Sequence, residues 1–285
     1  MILSFHPCFV ADRQIILGSR CLSITDFRLI EEAKAIILPQ SCSEELYLAC
    51  KKSSAHIFPD YDTRFKYPGK TGQSILFEKT DTPHPKTGRW QSVDEFRKTF
   101  RGQNSLPHKI PFLLKTDKGH EAEGVYLIKN RQTLDSYLEK LKHAENSGTA
   151  GFISQELIPA EGNVLRIVTM GHSFITYWRR PSTPGQIITS ASKNGIIDMD
   201  WRADLQEKGK IKVKDLTDKT GIDLAAIDCI FPIKEDNPQP MILEINYYFG
   251  RRGLGGSVNY YALLFQAIQY WLAENALDPK SISLI

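Results

Sequence analysis

Toward its C-terminal end the sequence holds two apolar runs, LAAIDCIFPI (224–233) and PMILEINYYFG (240–250), and each carries a carboxylate within it. Both read as strands, linked by the turn residues EDNPQ. Residues two apart on a strand share a face. Glu244 and Asn246 are therefore expected to project together, with Leu243, Ile245 and Tyr247 on the other side. Asp228 stands alone among apolar neighbours in the first run. Burying an unpaired carboxylate is expensive. Either these positions are strand ends open to water, or a cation sits beside them. If the two strands are neighbours, Asp228, Glu244 and Asn246 present a cluster of hard oxygen donors. Such a set, completed by substrate phosphates, suits Mg²⁺.

The rest of the chain reads as an α/β protein with α+β lobes. A strand over 14–17 ends at Gly18, and Asp26 is placed to cap a helix running toward Lys34. The run AIIL (35–38) is a buried strand stopped by Pro39, and Ser43 caps a helix opening with Glu44 and Glu45. Strand–helix–strand–helix is the order of a parallel sheet. The segment 55–87, rich in Pro, Gly and aromatics, is a connection around a short helix over 71–78. Ser92 and Glu95 have capping-box spacing for a helix to about 100. Strands over 112–115 and 125–128 form a hairpin with a long polar tip, and 133–143 is helical. A strand follows at 151–158, then an antiparallel pair, 165–171 and 173–180, turning at Gly171-His172. The last helix, 257–275, has an apolar stripe that belongs to a core.

With 285 residues the chain is long enough for two or three packed lobes. A net charge of +3 gives no reason to expect a nucleic-acid or membrane-surface partner. The five cysteines, Cys8, Cys21, Cys42, Cys50 and Cys229, have no CxxC pair and read as free thiols in a reducing compartment. There is no signal-peptide pattern and no bilayer-length apolar run, so a cytoplasmic protein is expected. Lys115 ends the strand PFLLK before a loop containing Gly119 and Gly124. One ammonium and several backbone N–H groups there could face phosphates, although an ordinary hairpin tip has the same pattern.

In order, the chain presents a lysine-ended strand with a glycine loop, a Gln-Glu-apolar-apolar strand, a strand arginine, a strand aspartate, and Glu-x-Asn. This order resembles the ATP-grasp superfamily, in particular its RimK-like and glutathione-synthetase-like carboxylate–amine ligases, over residues 67–256. The resemblance implies three lobes: a small N-terminal α/β lobe (1–88), a mobile lid (89–158) and a metal-binding C-terminal lobe (159–285). It implies ATP as nucleotide, with Lys70 and Lys115 on its phosphates together with the loop carrying Gly119 and Gly124. His120, Glu121, Ala122 and Glu123 depart from that loop's usual small residues. Gln155, Glu156, Leu157 and Ile158 match the adenine hinge. Val164 stands where an aspartate is usual, so Glu161 or Asn163 takes the ribose. Arg166 and Arg180 match the arginines near the transferred phosphate, while Ser190 replaces an expected asparagine. Asp228, Glu244 and Asn246 match the metal ligands for Mg²⁺ or Mn²⁺. Arg251 and Arg252, in a basic glycine-rich loop that lacks the GxGxxG fingerprint, are the candidates for the acyl substrate.

The implied activity joins a small-molecule or peptide carboxylate to an amine through an acyl phosphate, giving ADP and phosphate. An ATP-grasp kinase and a non-catalytic nucleotide-binding regulator share the same ATP site and remain alternatives. On this reading, neutralising Asp228 or Glu244 abolishes turnover and leaves the fold intact. The acid, the nucleophile and the oligomeric state stay open.

Overall fold

The computed structural model describes residues 1–100, 106–117, 124–148, 151–183, 185–187 and 195–285. The first lobe contains β1 (Ile2–Ser4), β2 (Phe9–Val10), β3 (Arg13–Gln14), α1 (Ile24–Glu32), β4 (Ala35–Ile37), α2 (Glu44–Lys51) and β5 (His56–Phe58). Strands β3, β1, β4 and β5 lie side by side in that order, all parallel. The expected alternation is present, with β1 and β5 additional to it. The strand expected at 14–17 falls at Arg13–Gln14 instead. Ser23, not Asp26, caps α1: the Ser23 hydroxyl accepts from the Asp26 N–H, and the Asp26 carboxylate accepts from the Ser23 N–H. Ser43 caps α2 as expected, accepting from the Leu46 N–H.

After α3 (Asp62–Lys66) and α4 (Gly69–Lys79) comes the second lobe: β6 (Thr87–Trp90), α5 (Val93–Phe100), β7 (Phe112–Thr116), β8 (Val125–Ile128), α6 (Arg131–Asn146) and β9 (Phe152–Glu156). Its antiparallel sheet has the order β6-β9-β7-β8. Alternation divides the residues of β7. Phe112 and Leu114 pack with Phe96 of α5 and with Leu134 and Leu138 of α6, while Leu113 and Lys115 face a cleft. Ser92 accepts from the Glu95 N–H, but the Glu95 carboxylate reaches back to Gln91 rather than to Ser92, so the capping box is only half made.

The third lobe holds β10 (Val164–Met170), β11 (Ser173–Arg180), β12 (Ile196–Asp198), α7 (Ala203–Thr220), β13 (Leu224–Ile230), β14 (Met241–Asn246), α8 (Ser257–Glu274) and β15 (Ser283–Leu284). Its antiparallel sheet runs β12-β11-β10-β13-β14. One face carries the apolar core against α7. Leu165, Ile167, Trp178, Ala225, Ile227 and Ile242 pack there with Leu205, Val213 and Leu216 of α7. The other face is divided. At one end Val168, Met170 and Ala226 pack against Tyr260, Leu264 and Ile268 of α8. At the other end the same face turns polar and lines the cleft. Helix α7 is outside the sequence expectations. Its core contacts are Leu205, Gly209, Val213 and Leu216, and a Cβ at Gly209 would lie 2.5 Å from the Leu165 side chain. Close approach to the sheet here needs glycine, so the helical stripe has a gap where a large apolar residue would have marked it.

The lobe boundaries at 88/89 and 158/159 are crossed by packing. Leu76 and Phe77 of α4 belong to the core of the third lobe, the lid sheet begins at Thr87, and β15 pairs with β2. Among the described residues no helix is long and apolar enough to cross a membrane.

Candidate functional site

A cleft of about 770 Å³ opens between the lid sheet and the polar end of the C-terminal sheet. Strand register builds its floor. Tyr177 on β11 pairs with Arg166 on β10, Arg166 pairs with Asp228 on β13, and Asp228 pairs with Glu244 on β14. Directly paired residues share a face, so this row crosses four strands on one side. Asn246 lies two residues beyond Glu244 on the same side, and Arg179 two beyond Tyr177.

The expected cation beside Asp228 is there, and it is a pair of guanidinium groups. Arg166 Nε donates to Asp228 Oδ1 at 2.7 Å and Arg166 Nη2 to Oδ2 at 2.9 Å. Arg179 Nη2 donates to Oδ2 at 2.6 Å and Asn246 Nδ2 to the same oxygen at 3.3 Å. All three charged residues are buried, with Asp228 5%, Arg166 8% and Arg179 9% exposed. Burial alone would raise the Asp228 carboxyl. The charges of Arg166 and Arg179 outweigh it and hold the group below the usual carboxylate range. Protein cations therefore supply the neighbouring positive charge that the sequence argument required for Asp228.

Arg180 is a correction. As the next residue after Arg179 it points to the opposite face of β11. There it donates to Asp198 at 2.7 Å, and its guanidinium lies 4.4 Å from the Trp201 ring centre. Arg179 takes the place in the cleft that was expected of Arg180. The sequence WRR offers two adjacent arginines, and only the register against Arg166 decides between them. A second correction concerns Leu243. A bulge between β13 and β14 pairs Asp228 with Glu244 but Cys229 with Ile242, which leaves Leu243 as the extra residue. Ile242 and Ile245 are buried in the core, while Leu243 lines the cleft with Glu244.

From the lid side Lys115 enters the cleft, 7% exposed, and donates to Gln155 Oε1 at 2.6 Å. Gln155 in turn donates from Nε2 to Thr87 Oγ1 at 3.0 Å. The Gln155 side chain therefore holds the lysine, a role the sequence did not disclose. Burial lowers the Lys115 pKa to about 8, with Glu244 and Asp228 acting against the fall and Lys70 adding to it. Lys70 sits in the first turn of α4, where Thr71 N–H donates to Asp117 Oδ1 at 2.7 Å. That bond ties the root of the lid to the helix. Gly69, at φ +67°, lies against the same carboxylate, which a Cβ would strike.

Glu156, Leu157, Ile158 and Val164 line the other side of the cleft. Glu161 lines it too, at φ +51°, and pairs with Lys234 at 3.1 Å. Arg251 and Arg252 form part of the wall. Arg251 lies 4.5 Å from the ring centres of both Tyr260 and Tyr261 and donates to Ser257 Oγ at 3.3 Å. Gly253 seats this loop on Tyr177, where a Cβ would come within 2.2 Å of the ring. Gly124 follows the hairpin tip at φ +72° against Thr116. Gly119, residues 120–123 and Ser190 lie outside the described residues.

An oxygen-only donor set of Asp228, Glu244 and Asn246 fits a hard divalent cation. Among the described residues no group of three or more His, Cys, Asp or Glu forms a metal cage. The trio would therefore need oxygens from a ligand, as phosphates provide, to complete a magnesium shell.

No family model matches the chain. It is similar to beta-citrylglutamate synthase B of Danio rerio, 26% identical over 149 residues, 52% of this chain and 34% of that protein. It is also similar to a probable alpha-L-glutamate ligase of Pasteurella multocida (strain Pm70), 30% identical over 137 residues, 48% of this chain and 40% of that protein. The matched segments thus span two fifths or less of these relatives. Among solved structures, a RimK domain ATP-grasp protein from Sphaerobacter thermophilus DSM 20745 matches with TM-score 0.55 and 14% identity, covering 92% of this chain and 97% of that one. The ADP complex of an N5-carboxyaminoimidazole ribonucleotide synthetase matches with TM-score 0.58 and 16% identity, covering 86% of this chain and 61% of that one. At such identities it is the architecture that is shared: the chain has the ATP-grasp fold, with the Asp228 cluster on the floor of its central cleft.

Proposed function

We propose that the chain is an ATP-dependent carboxylate–amine ligase. The observation that carries this reading is the convergence of Lys115, Arg166, Arg179 and the Asp228–Glu244–Asn246 oxygens on one cleft of an ATP-grasp fold. The nucleotide is ATP, in keeping with the ADP bound to the synthetase of the same fold. Leu157, Ile158, Val164 and Leu243 give the base apolar walls, and Glu161 is the ribose candidate. Lys70 and Lys115 hold phosphate oxygens. Asp228, Glu244 and Asn246 would hold Mg²⁺, which supplies charge neutralisation on the phosphates. A substrate carboxylate attacks the γ-phosphorus, ADP leaves, and an amine then displaces phosphate from the acyl phosphate. Arg166 and Arg179 stabilise the charge on the transferred group, a task of positioning and electrostatics that needs no protein nucleophile. Cys42 and Cys50 are buried in the core of the first lobe, and Cys229 faces the core on the side of the sheet opposite Asp228. Arg251 and Arg252 bind the acyl substrate, and the names of the two relatives favour amino acids and small acids as substrates.

The test is a screen of paired amino acids and small carboxylates for ATP-dependent phosphate release, repeated with hydroxylamine as acceptor. A ligase gives a hydroxamate of the acid. A phosphorylated product that hydroxylamine does not trap would make the chain a kinase.

Lys115 gives this reading a pH signature. Burial lowers its pKa to about 8, and the protonated form is the one that binds phosphate. Nucleotide affinity is expected to fall as pH rises past 8, by up to about tenfold per pH unit. Stability runs the other way. Between 8 and the ordinary lysine value the unfolded chain binds more protons, so Lys115 contributes a rise in stability with pH across that window. In Lys115→Arg the affinity should be flat from pH 7 to 9.5. Equal affinity across that range in the parent protein would remove Lys115 from the phosphate site.

A further inference from the structure

Of the two cleft-floor carboxylates assigned to the metal, Asp228 is the less available. An ionised carboxylate offers about four lone-pair positions. In this structure four N–H donors, two from Arg166 and one each from Arg179 and Asn246, occupy them. A divalent cation approaching Asp228 would have to displace a buried guanidinium and then remain beside it. Lys115 and Lys70 add positive charge nearby. Glu244, by contrast, makes no ion pair or hydrogen bond among the described residues and is only half-buried. Free metal thus meets one accessible carboxylate and one that is already taken.

A second observation shows what would release Asp228. Among the described residues, Arg179 Nε is buried without a hydrogen-bond partner, although Arg179 lines the cleft. A buried donor left unpaired is costly, and a guanidinium edge is shaped to fork two oxygens of one oxyanion. With Nη2 on Asp228 and Nε empty, Arg179 is half engaged. A phosphoryl oxyanion in the cleft could take both donors and free one lone pair of Asp228.

We propose that Arg179 is an anion-operated gate on the metal site, closed on Asp228 beside the fixed Arg166 fork and opened by a phosphoryl oxyanion. Metal and nucleotide then enter as a coupled pair. The cation finds its second carboxylate only when Arg179 has moved to phosphate, and the added negative charge offsets the cation in a pocket already rich in positive groups. This rests on the reading of Asp228 and Glu244 as metal ligands.

The experiment titrates the whole protein with Mn²⁺, read as loss of the free-ion electron paramagnetic resonance signal, in chloride buffer and again with sulfate. Sulfate stands in for the phosphoryl group and binds Mn²⁺ weakly by itself. The parent protein is expected to bind Mn²⁺ weakly in chloride and about tenfold or more tightly with sulfate, within the usual range of coupling between sites. Arg179→Gln should bind tightly in chloride and lose the sulfate response. Arg179→Lys, which keeps the charge but not the fork, serves if the Gln variant does not fold, and should also lose the response. All binding should disappear in Glu244→Gln. If the parent binds Mn²⁺ equally well with and without sulfate and loses it in Glu244→Gln, the metal site stands and the gate is overturned. If no condition gives binding that depends on Glu244, the metal reading fails and the gate fails with it.

Discussion

Asp228→Ala is expected to destabilise the ligand-free protein by about 3–5 kcal/mol, the cost of breaking a buried ion pair by removing one partner. Arg166 and Arg179 would be left as two buried like charges with no counter-ion in contact. This differs from the expectation drawn from the sequence, in which neutralising Asp228 leaves the fold intact, and the two buried arginines are the reason. For Glu244, which makes no ion pair among the described residues, an intact fold is still the expected result. Glu244→Gln should change stability by less than about 1 kcal/mol, as for substitutions away from buried networks. Urea denaturation of both variants separates the two cases. A third variant tests the cause: Arg179→Met added to Asp228→Ala should recover part of the loss, because one of the stranded charges is gone. The account fails if Asp228→Ala and Glu244→Gln have the same midpoint as the parent protein. It also fails if the double variant is less stable than the single one by the full cost of losing Arg179.

The parts of this molecule that could be read from its sequence are those set by local pattern. The strand pair turning at Gly171, the cap at Ser43 and the long final helix follow from periodicity and terminal residues. The polar trio at 228, 244 and 246 was visible because each residue interrupts an apolar run. What stayed hidden depends on partners far away in sequence. The bulge at Leu243 has no local mark, since its signal is the mismatch of two strands. Helix α7 buries a glycine where a large apolar residue would have completed the stripe, so its helical period was weak. The chain Lys115–Gln155–Thr87 joins three strands of the lid sheet and cannot be inferred from any one of them. In the same way, alternation along β11 requires that Arg179 and Arg180 face opposite ways, but not which of them faces the cleft.

That last ambiguity gives the sharpest kinetic contrast. Arg179→Met is expected to lower turnover by about 10²–10³-fold, the usual effect of removing one donor aimed at charge that develops during reaction. Arg180→Met is expected to stay within a few-fold of the parent, because Arg180 is engaged with Asp198 and Trp201 on the other side of the sheet. Its loss should appear as a modest decrease in stability. An exposed ion pair contributes up to about 1 kcal/mol and an exposed cation–π contact a similar amount. Phosphate release with the acid identified by the screen supplies the kinetic readout, and urea denaturation supplies the other. Arg179→Lys refines the test. A lysine keeps the charge but cannot fork an oxyanion, so if geometry matters as much as charge it should restore only part of the rate. If Arg180→Met costs as much turnover as Arg179→Met while both remain folded, the phosphoryl site cannot lie on the Asp228 face alone. The assignment of that face as the catalytic floor would then have to be given up.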